Sequence, residues 1–409
     1  LRCILDQDRD FYEELLADTT RMDGLHVAGL VATSRTDQPG CVLEHELQLN
    51  LAYTCWSMTQ FRDAALFFLD FWSYLFSNGY SLQDSNPENI MFRGTTPVFV
   101  DFCSIGPWEA ATVSPVFLEH YFSSWIYPLA LLHSKQLTFF YELFDEKLTL
   151  EQVEPMLIPA VLEEVRRLRT AGQAHFSDKD IPGFIATMRD WVNGVQIVHS
   201  SLGWNTEAYQ EQELGAPEPQ SPKEKAMDGL YDRYQPETLL DLGCNKGRFS
   251  YLAALRNVRT YAFDTAESLI DKLYLFAKAT GLPIQAHVVD GARLEPFSDP
   301  EIRFDMVAYL AVIHHLIFTF GKTVQEVVAQ ADGLCERVAI LEYVSSDPAE
   351  TFVYTNYDPE LYPDYNVPGI TRELLKYFDA VEAIDISVSR TLLVASREGR
   401  PDTRKVHER

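Results

Sequence analysis

Positive charge is scarce in this chain. It sets 34 Lys and Arg against 60 Asp and Glu, a formal net charge of -26 over 409 residues. A field of that sign opposes phosphate backbones and anionic bilayers at long range. No run of Lys and Arg occurs before the extreme C-terminus, so neither nucleic acid nor a membrane surface is expected as partner. Lysine is absent before Lys135. Cysteine is sparse and scattered, at Cys3, Cys41, Cys55, Cys103, Cys244 and Cys335. No two of these form a CxxC pair, so the spacing suggests neither a zinc site nor a disulfide framework, and a reducing cytoplasmic setting is expected. No apolar run is long enough to span a bilayer; the richest, AALFFLDFWSYLF at 64–76, holds Asp70 and reads as a buried helix. The opening LRCILDQDRD lacks the apolar core of a signal peptide, and a start at Leu1 is also compatible with a piece of a longer protein.

What is present is enough apolar side chain, 46%, to bury two or three cores. A composition break lies at 205–225, NTEAYQEQELGAPEPQSPKEK, which is polar, acidic and proline-bearing. It divides the chain into an aromatic-rich helical domain at 1–205, a linker at 206–222, an α/β domain at 223–398 and a charged tail at 399–409. In the α/β domain, ETLLDLG, RTYAFD, IQAHVVD, FDMVAYL and RVAILEYV read as strands separated by amphipathic helices. AVEAIDISVSRTLLVASRE reads as two strands with a tight connection. Alternating β and α predicts a mostly parallel sheet covered on both faces, and the final hairpin predicts one antiparallel strand.

Ligands of such sheets sit at the carboxyl ends of the strands. There the first strand runs into DLGCNKG. Gly243 permits a tight turn and close approach to the backbone, and Gly247 lets the next helix begin against the sheet. Neither GxGxxG nor GxxxxGK[ST] is present, and the loop begins with an acid, so phosphate is not the expected ligand here. Asp241 can receive an ammonium group. Asp264, ending the second strand, can take two ribose hydroxyls. Asp290, ending the third and followed by Gly291, can meet an adenine amino group. One acid at a strand end is an ordinary turn residue; acids at three successive strand ends point to a ligand.

With these residues the chain resembles the class I S-adenosylmethionine-dependent methyltransferases over 223–398. The family's first motif is an acid followed by alternating glycines; here Asn245 stands at the middle glycine. DMVAYLAVIHHL, AILEYVSSDP and, further forward, LQDSNPENIMFRGTTPVFVDFCSI and YPLALL are similar to a subgroup of nodulation-type and natural-product methyltransferases. The resemblance implies a Rossmann-like, seven-stranded, mostly parallel sheet with an antiparallel last strand, preceded by a mainly helical N-terminal domain. It implies S-adenosylmethionine as cofactor, bound by Asp241, Gly243, Asn245, Gly247, Asp264, Asp290 and Gly291. It implies a small-molecule or carrier-bound natural-product acceptor methylated on oxygen, carbon or nitrogen.

A base is needed only where the acceptor atom carries a proton. His314 and His315 follow the fourth strand, where this fold places the transferred methyl. On a helix they point about 100° apart, so one of them at most is expected to face the acceptor. Glu342 and Tyr309 are second candidates. A metal held by one histidine and Glu342 is chemically reasonable, but nothing in the spacing requires it.

DSNPENIMFRGTTPVFVDF has a second resemblance, to the catalytic segment of kinase-like phosphotransferases, through Asp84, Asn89 and Asp101. The glycine-rich loop and the phosphate-pairing lysine have no counterpart before Asp84. The segment is therefore read as a scaffold remnant, with Asp84 and Asn89 as turn and capping residues around Pro87. The aromatic helices before the linker are expected to serve as lid or acceptor platform. Two other functions stay open: a phosphotransferase using the three polar residues, and a non-catalytic module that senses S-adenosylmethionine.

Overall fold

The computed structural model describes residues 2–3, 9–36, 42–45, 49, 51–108, 114–136, 147–198, 215–294, 302–345 and 360–397. The expected tail at 399–409 and the part of the expected linker at 206–214 lie outside the described residues. The chain forms two compact units, Leu1–Ser201 and Leu202–Arg409.

The first unit is built around a helix at Met58–Ser77, started by a capping box between Ser57 and Gln60. It is the buried helix that the apolar run predicts. Phe61, Phe68, Phe71 and Leu75 on it are fully buried. Phe68 packs 5.5 Å from Trp125, and Trp72 5.5 Å from Phe184, centroid to centroid. Asp70 within this run is paired with Arg189 of the helix at Ile181–Gly194. The aromatic stripe is therefore core. Beyond the helix lie the strands Tyr80–Leu82 and Ile105–Pro107, which pair with each other, and a hairpin of Ile90–Arg93 with Thr96–Phe99.

The second unit begins with helix α1 (Pro222–Tyr234), capped by Ser221, whose side chain accepts from the Glu224 N–H at 3.2 Å. There follow β1 (Thr238–Leu242), α2 (Arg248–Ala254), β2 (Arg259–Asp264), α3 (Glu267–Thr280), β3 (Ile284–Val288), β4 (Phe304–Tyr309), α4 (Ile313–Phe318), α5 (Val324–Leu334), β5 (Cys335–Val344), α6 (Val367–Leu374), β6 (Ala380–Ser387) and β7 (Arg390–Ser396). The sheet order is β3-β2-β1-β4-β5-β7-β6. All pairings are parallel except those of β7, which runs antiparallel to both β5 and β6. This is the seven-stranded arrangement expected from the sequence.

Every residue of β1 and β4 is buried, as strands covered on both faces should be. Edge strand β6 leaves more than half its residues exposed. The order reverses at β1 and β4, so the carboxyl ends of these two strands open onto the crevice where a ligand fits.

Residues 215–222, expected as linker, are held against this unit. Arg248 is buried and donates to the Ala216 and Glu218 carbonyls and to Glu224. The Tyr251 hydroxyl donates to the Gly215 carbonyl at 3.1 Å.

Candidate active site

Three left-handed residues curl the loop after β1. Gly243 has φ +71°, Asn245 +52° and Gly247 +79°. Asn tolerates that region better than most residues, which accounts for Asn245 where the motif has glycine. The glycines also answer to space. A Cβ on Gly243 would sit 2.3 Å from Val312 Cγ2, and one on Gly247 2.5 Å from Leu273 Cδ2.

Asp241 lies one residue before the end of β1 and is 1% exposed. Its Oδ2 accepts from Ser250 Oγ at 2.6 Å. Its Oδ1 is buried and has no hydrogen-bond partner among the described residues. Burial pushes the carboxyl up to about 6; Ser250 and the charge of Lys223 oppose this rise and the charge of Asp264 adds to it.

Asp264, the last residue of β2, ties the loop down. Its Oδ2 accepts from the Asn245 N–H and its Oδ1 from the Ala266 N–H, both at 2.8 Å. Each carboxylate oxygen keeps a further lone pair for a hydroxyl. Asp290 stands two residues past β3, where Oδ1 accepts from the Ala292 N–H at 2.9 Å and Oδ2 is 3.4 Å from Arg293 Nε. Next to it, a Cβ on Gly291 would press within 3.2 Å of Leu242.

Across the crevice, Ala311 takes φ +56° between β4 and α4 and turns the chain so that Val312 reaches Gly243. The His314 and His315 rings lie 4.2 Å apart, tilted by 39°. His314 is buried, and burial with the charges of His315, Arg390 and Lys223 pulls its pKa down to about 3. His315 is less buried; burial lowers its pKa below the ordinary value, and the charge of Asp264 offsets only part of that fall. Thus His315 feels the acid side of the site, and His314 the cations.

Those cations form a cluster that sequence reasoning missed. Glu342 in β5 is 0% exposed; its Oε1 accepts from Arg390 Nη1 at 2.9 Å, and its Oε2 pairs with Lys223. Lys223 also lies over the Phe249 ring, 5.0 Å from the centroid. With both oxygens engaged, Glu342 is no ready metal ligand. Lys223 and Arg390 lie far apart in the chain and in no motif; the pairing of β5 with β7, Val344 opposite Arg390, brings Arg390 to Glu342, and Lys223 reaches it from the first turn of α1. Tyr309 is 0% exposed and its hydroxyl donates to Gln330 Oε1 at 3.3 Å. Gln330 in turn holds the Gly291 and Leu294 carbonyls, so Tyr309 braces the segment after β3.

Residues 240–337 match the family described as "Methyltransferase domain". The second unit is an S-adenosylmethionine-dependent methyltransferase domain. The chain is also 24% identical, over 368 residues, to the nodulation protein NoeA of Rhizobium meliloti (strain 1021), covering 80% of this chain and 75% of that one. That is more than the second unit contains, so the similarity reaches into the first. Among solved structures, monomeric WbdD aligns with 42% of this chain and 41% of its own, at 20% identity and TM-score 0.33. The chain thus spans under half of that protein. Magnesium protoporphyrin IX methyltransferase (ChlM) from Synechocystis PCC 6803 aligns with 43% and 84%, at 17% identity and TM-score 0.32.

The methyltransferase cofactor fits these residues on the structure's own evidence. An orphaned, buried carboxylate oxygen on Asp241 suits an ammonium, and the carboxylate oxygens of Asp264 keep lone pairs for ribose hydroxyls.

The kinase-like segment is arranged differently. Asp84 Oδ1 accepts from the Asn86 N–H at 3.0 Å, a local turn. The cap of the short helix at Pro87–Asn89 is Asn86, not Asn89, because only Asn86 can reach the Glu88 N–H, at 3.1 Å. Asp101 accepts from Ser104. No helix of the described residues is long and apolar enough to cross a membrane.

Proposed function

We propose that the protein transfers a methyl group to oxygen, carbon or nitrogen of a small-molecule or carrier-bound natural-product acceptor, in the cytoplasm. S-adenosylmethionine supplies the methyl on a positively charged sulfur. Asp241 takes its ammonium, Asp264 its ribose hydroxyls, Asp290 with Gly291 the adenine side, and the Gly243–Gly247 loop lies along it. We assign the functional domains to 1–205 and 223–398, the first needed for turnover and not for cofactor binding.

The observation that carries this reading is the histidine pair between the acids and the cation cluster. Held by these residues, the cofactor would supply a methyl group already activated for transfer to an acceptor lone pair. The protein's work is orientation and exclusion of water. A proton on the acceptor atom goes to His315, the less buried of the pair, where the charge of Asp264 offsets part of the fall in pKa that burial causes. His314, kept neutral by burial and two cations, orients rather than accepts. Glu342 acts through Lys223 and Arg390, and Tyr309 through Gln330.

The test is product formation from S-adenosylmethionine over an acceptor panel. His315→Ala is expected to lower turnover by about 100-fold with S-adenosylhomocysteine binding retained. Turnover equal to wild type would remove the base from His315. Tight cofactor binding with no product from any acceptor would favour a sensing module.

A further inference from the structure

Asp241 and Glu342 share one face of the sheet. Asp241 lies opposite Ala308 and Ala308 opposite Ile340, in parallel register across β1, β4 and β5. Glu342 is two residues beyond Ile340, so it points to the same side as Asp241. The two acids stand two strands apart, about 10 Å across the sheet. Helix α1 covers this face: Met227 and Leu230 pack in one core with Leu239, Ala308 and Ile340. The second residue of α1 is Lys223, whose ammonium meets Glu342 and lies 5.0 Å from the Phe249 ring centroid. Ser250, the residue after Phe249, donates to Asp241 at 2.6 Å. Lys223 therefore reaches from Glu342 toward Asp241, and its charge acts on that carboxylate.

Glu342 does not need Lys223 for its own balance. It is 0% exposed, and Arg390 Nη1 already donates to its Oε1 at 2.9 Å. One cation matches one carboxylate; a second one held out of water is costly unless a further anion meets it. Lys223, Arg390 and Glu342 sum to one positive charge. Asp241 adds one negative charge, and its Oδ1 is buried with no hydrogen-bond partner among the described residues. This face of the sheet thus offers one charge of each sign. A free amino-acid group carries the complementary pair, an ammonium and a carboxylate on the same carbon. With the ammonium at Asp241, the carboxylate comes within reach of the cation that acts on Asp241, which is Lys223.

We infer that Lys223 holds the carboxylate of S-adenosylmethionine while Asp241 holds its ammonium, so that the site selects the donor with an intact amino-acid end against its decarboxylated form. The inference rests on the methyltransferase reading above and adds the donor specificity of the same site. Glu342 and Arg390 are positioning residues. Glu342 fixes where the Lys223 ammonium sits, and Arg390 cancels the charge of Glu342, so that the charge of Lys223 is left for the ligand.

The test is calorimetric titration of the whole protein at pH 8, where Asp241 is ionised, with S-adenosylhomocysteine, its carboxamide and its decarboxylated analogue. S-adenosylhomocysteine is expected to bind tightest, the other two more weakly by about tenfold or more, the scale of a lost charge-assisted pair. Lys223→Met keeps the aliphatic stem and leaves Glu342 paired with Arg390. It should weaken S-adenosylhomocysteine by about tenfold or more and the other two probes by less than about twofold. Arg390→Gln leaves Glu342 to neutralise Lys223, so it should shift the three probes in the same sense by a smaller factor, and Arg390→Lys should restore them. Equal binding of the three probes to wild type would overturn this inference and leave the methyltransferase reading standing. An equal loss of all three in Lys223→Met would show a purely structural lysine and overturn it too. Loss in Arg390→Gln without loss in Lys223→Met would overturn the assignment to Lys223. The ranking on wild type decides the matter even where a variant does not fold. Failure of S-adenosylhomocysteine to bind defeats the methyltransferase reading with it.

Discussion

Each unit of the chain carries a short constellation of Asp, Asn and Gly that sequence reading connects with a ligand. Asp84, Asn89 and Asp101 satisfy a phosphotransferase spacing; Asp241, Asn245 and Asp264 satisfy a methyltransferase one. In the first unit Asp84 and Asp101 serve turns within two or three residues of themselves. In the second, Asp264 makes a like local turn to the Ala266 N–H but also holds the N–H of Asn245, nineteen residues earlier, and Asp241 faces inward with one oxygen unanswered. The lesson is physical. A carboxylate that bonds its nearest neighbours satisfies itself, whereas one held buried and incompletely bonded keeps free energy for a ligand.

The sharpest way to break that comparison is to remove one carboxylate from each unit. Asp264→Ala frees the loop N–H and the start of α3 at once. S-adenosylhomocysteine affinity is expected to fall by about 100-fold, near 2.7 kcal/mol, in calorimetric titration. Asp84→Ala is expected to leave it within about twofold. An equal loss in both would erase the distinction between the two segments. Mg-ATP binding lost in Asp101→Ala would show the first segment to be a live phosphotransferase site.

The same contrast can be put to the glycines. Gly243 and Gly94 both have positive φ, +71° and +62°. A Cβ on Gly243 meets Val312 at 2.3 Å, whereas one on Gly94 meets nothing within 4 Å. Gly94→Ala should cost about 1 kcal/mol, the strain of the left-handed backbone. Gly243→Ala should cost about 2–4 kcal/mol, from strain plus overpacking, and abolish cofactor binding. Paired denaturant curves would decide it; equal midpoints would mean that Val312 yields freely.

Asp241 allows a pH test. Its folded value, about 6, lies above the ordinary carboxylate value of 3.8. The folded protein therefore favours the protonated form. Stability is lost as pH rises from about 4 to about 6, by about 3 kcal/mol in all. Asp241→Asn should be the more stable protein at pH 8 and the weaker binder. Wild-type affinity for S-adenosylhomocysteine, whose ammonium needs the ionised carboxylate, should rise about tenfold from pH 5 to pH 7 and stay flat in Asp241→Asn. A flat wild-type profile would remove Asp241 from the ammonium.

Much of the second unit was legible in advance. The β and α segments follow from period and punctuation, the antiparallel strand from the closing hairpin, and the acids from their places at strand ends. Asn245, a departure from the motif, is explained by a left-handed φ that sequence could only suggest. The cation cluster was illegible because its members meet only in the fold: Lys223 comes from the first turn of α1, Arg390 is brought by the β5–β7 register, and neither adjoins a motif. The roles of Glu342 and Tyr309 were drawn too close to the chemistry for the same reason. A position at a strand end is visible in sequence; the partner that occupies the side chain is not. Residues 215–222 were taken for linker because Pro and Gly mark loops, and Arg248, which docks them, lies beyond the loop motif.

The smallest expected effect tests how the site is shaped. Ala311 takes φ +56°, at a cost of about 1 kcal/mol for a residue with a Cβ. The turn it makes delivers Val312 onto Gly243 and leads into α4, which carries His314. Glycine relieves the strain but raises the entropy of the unfolded chain by a comparable amount, so Ala311→Gly should change stability by less than about 1 kcal/mol in either direction. The informative readout is therefore turnover. If the strain serves only to close the turn, glycine makes the same turn and turnover stays within about twofold. If alanine's stiffness positions the histidines, turnover falls while S-adenosylhomocysteine binding, here proposed to rest on the acids across the crevice, does not. That split would separate the two sides of one crevice as the earlier variants separate the two units.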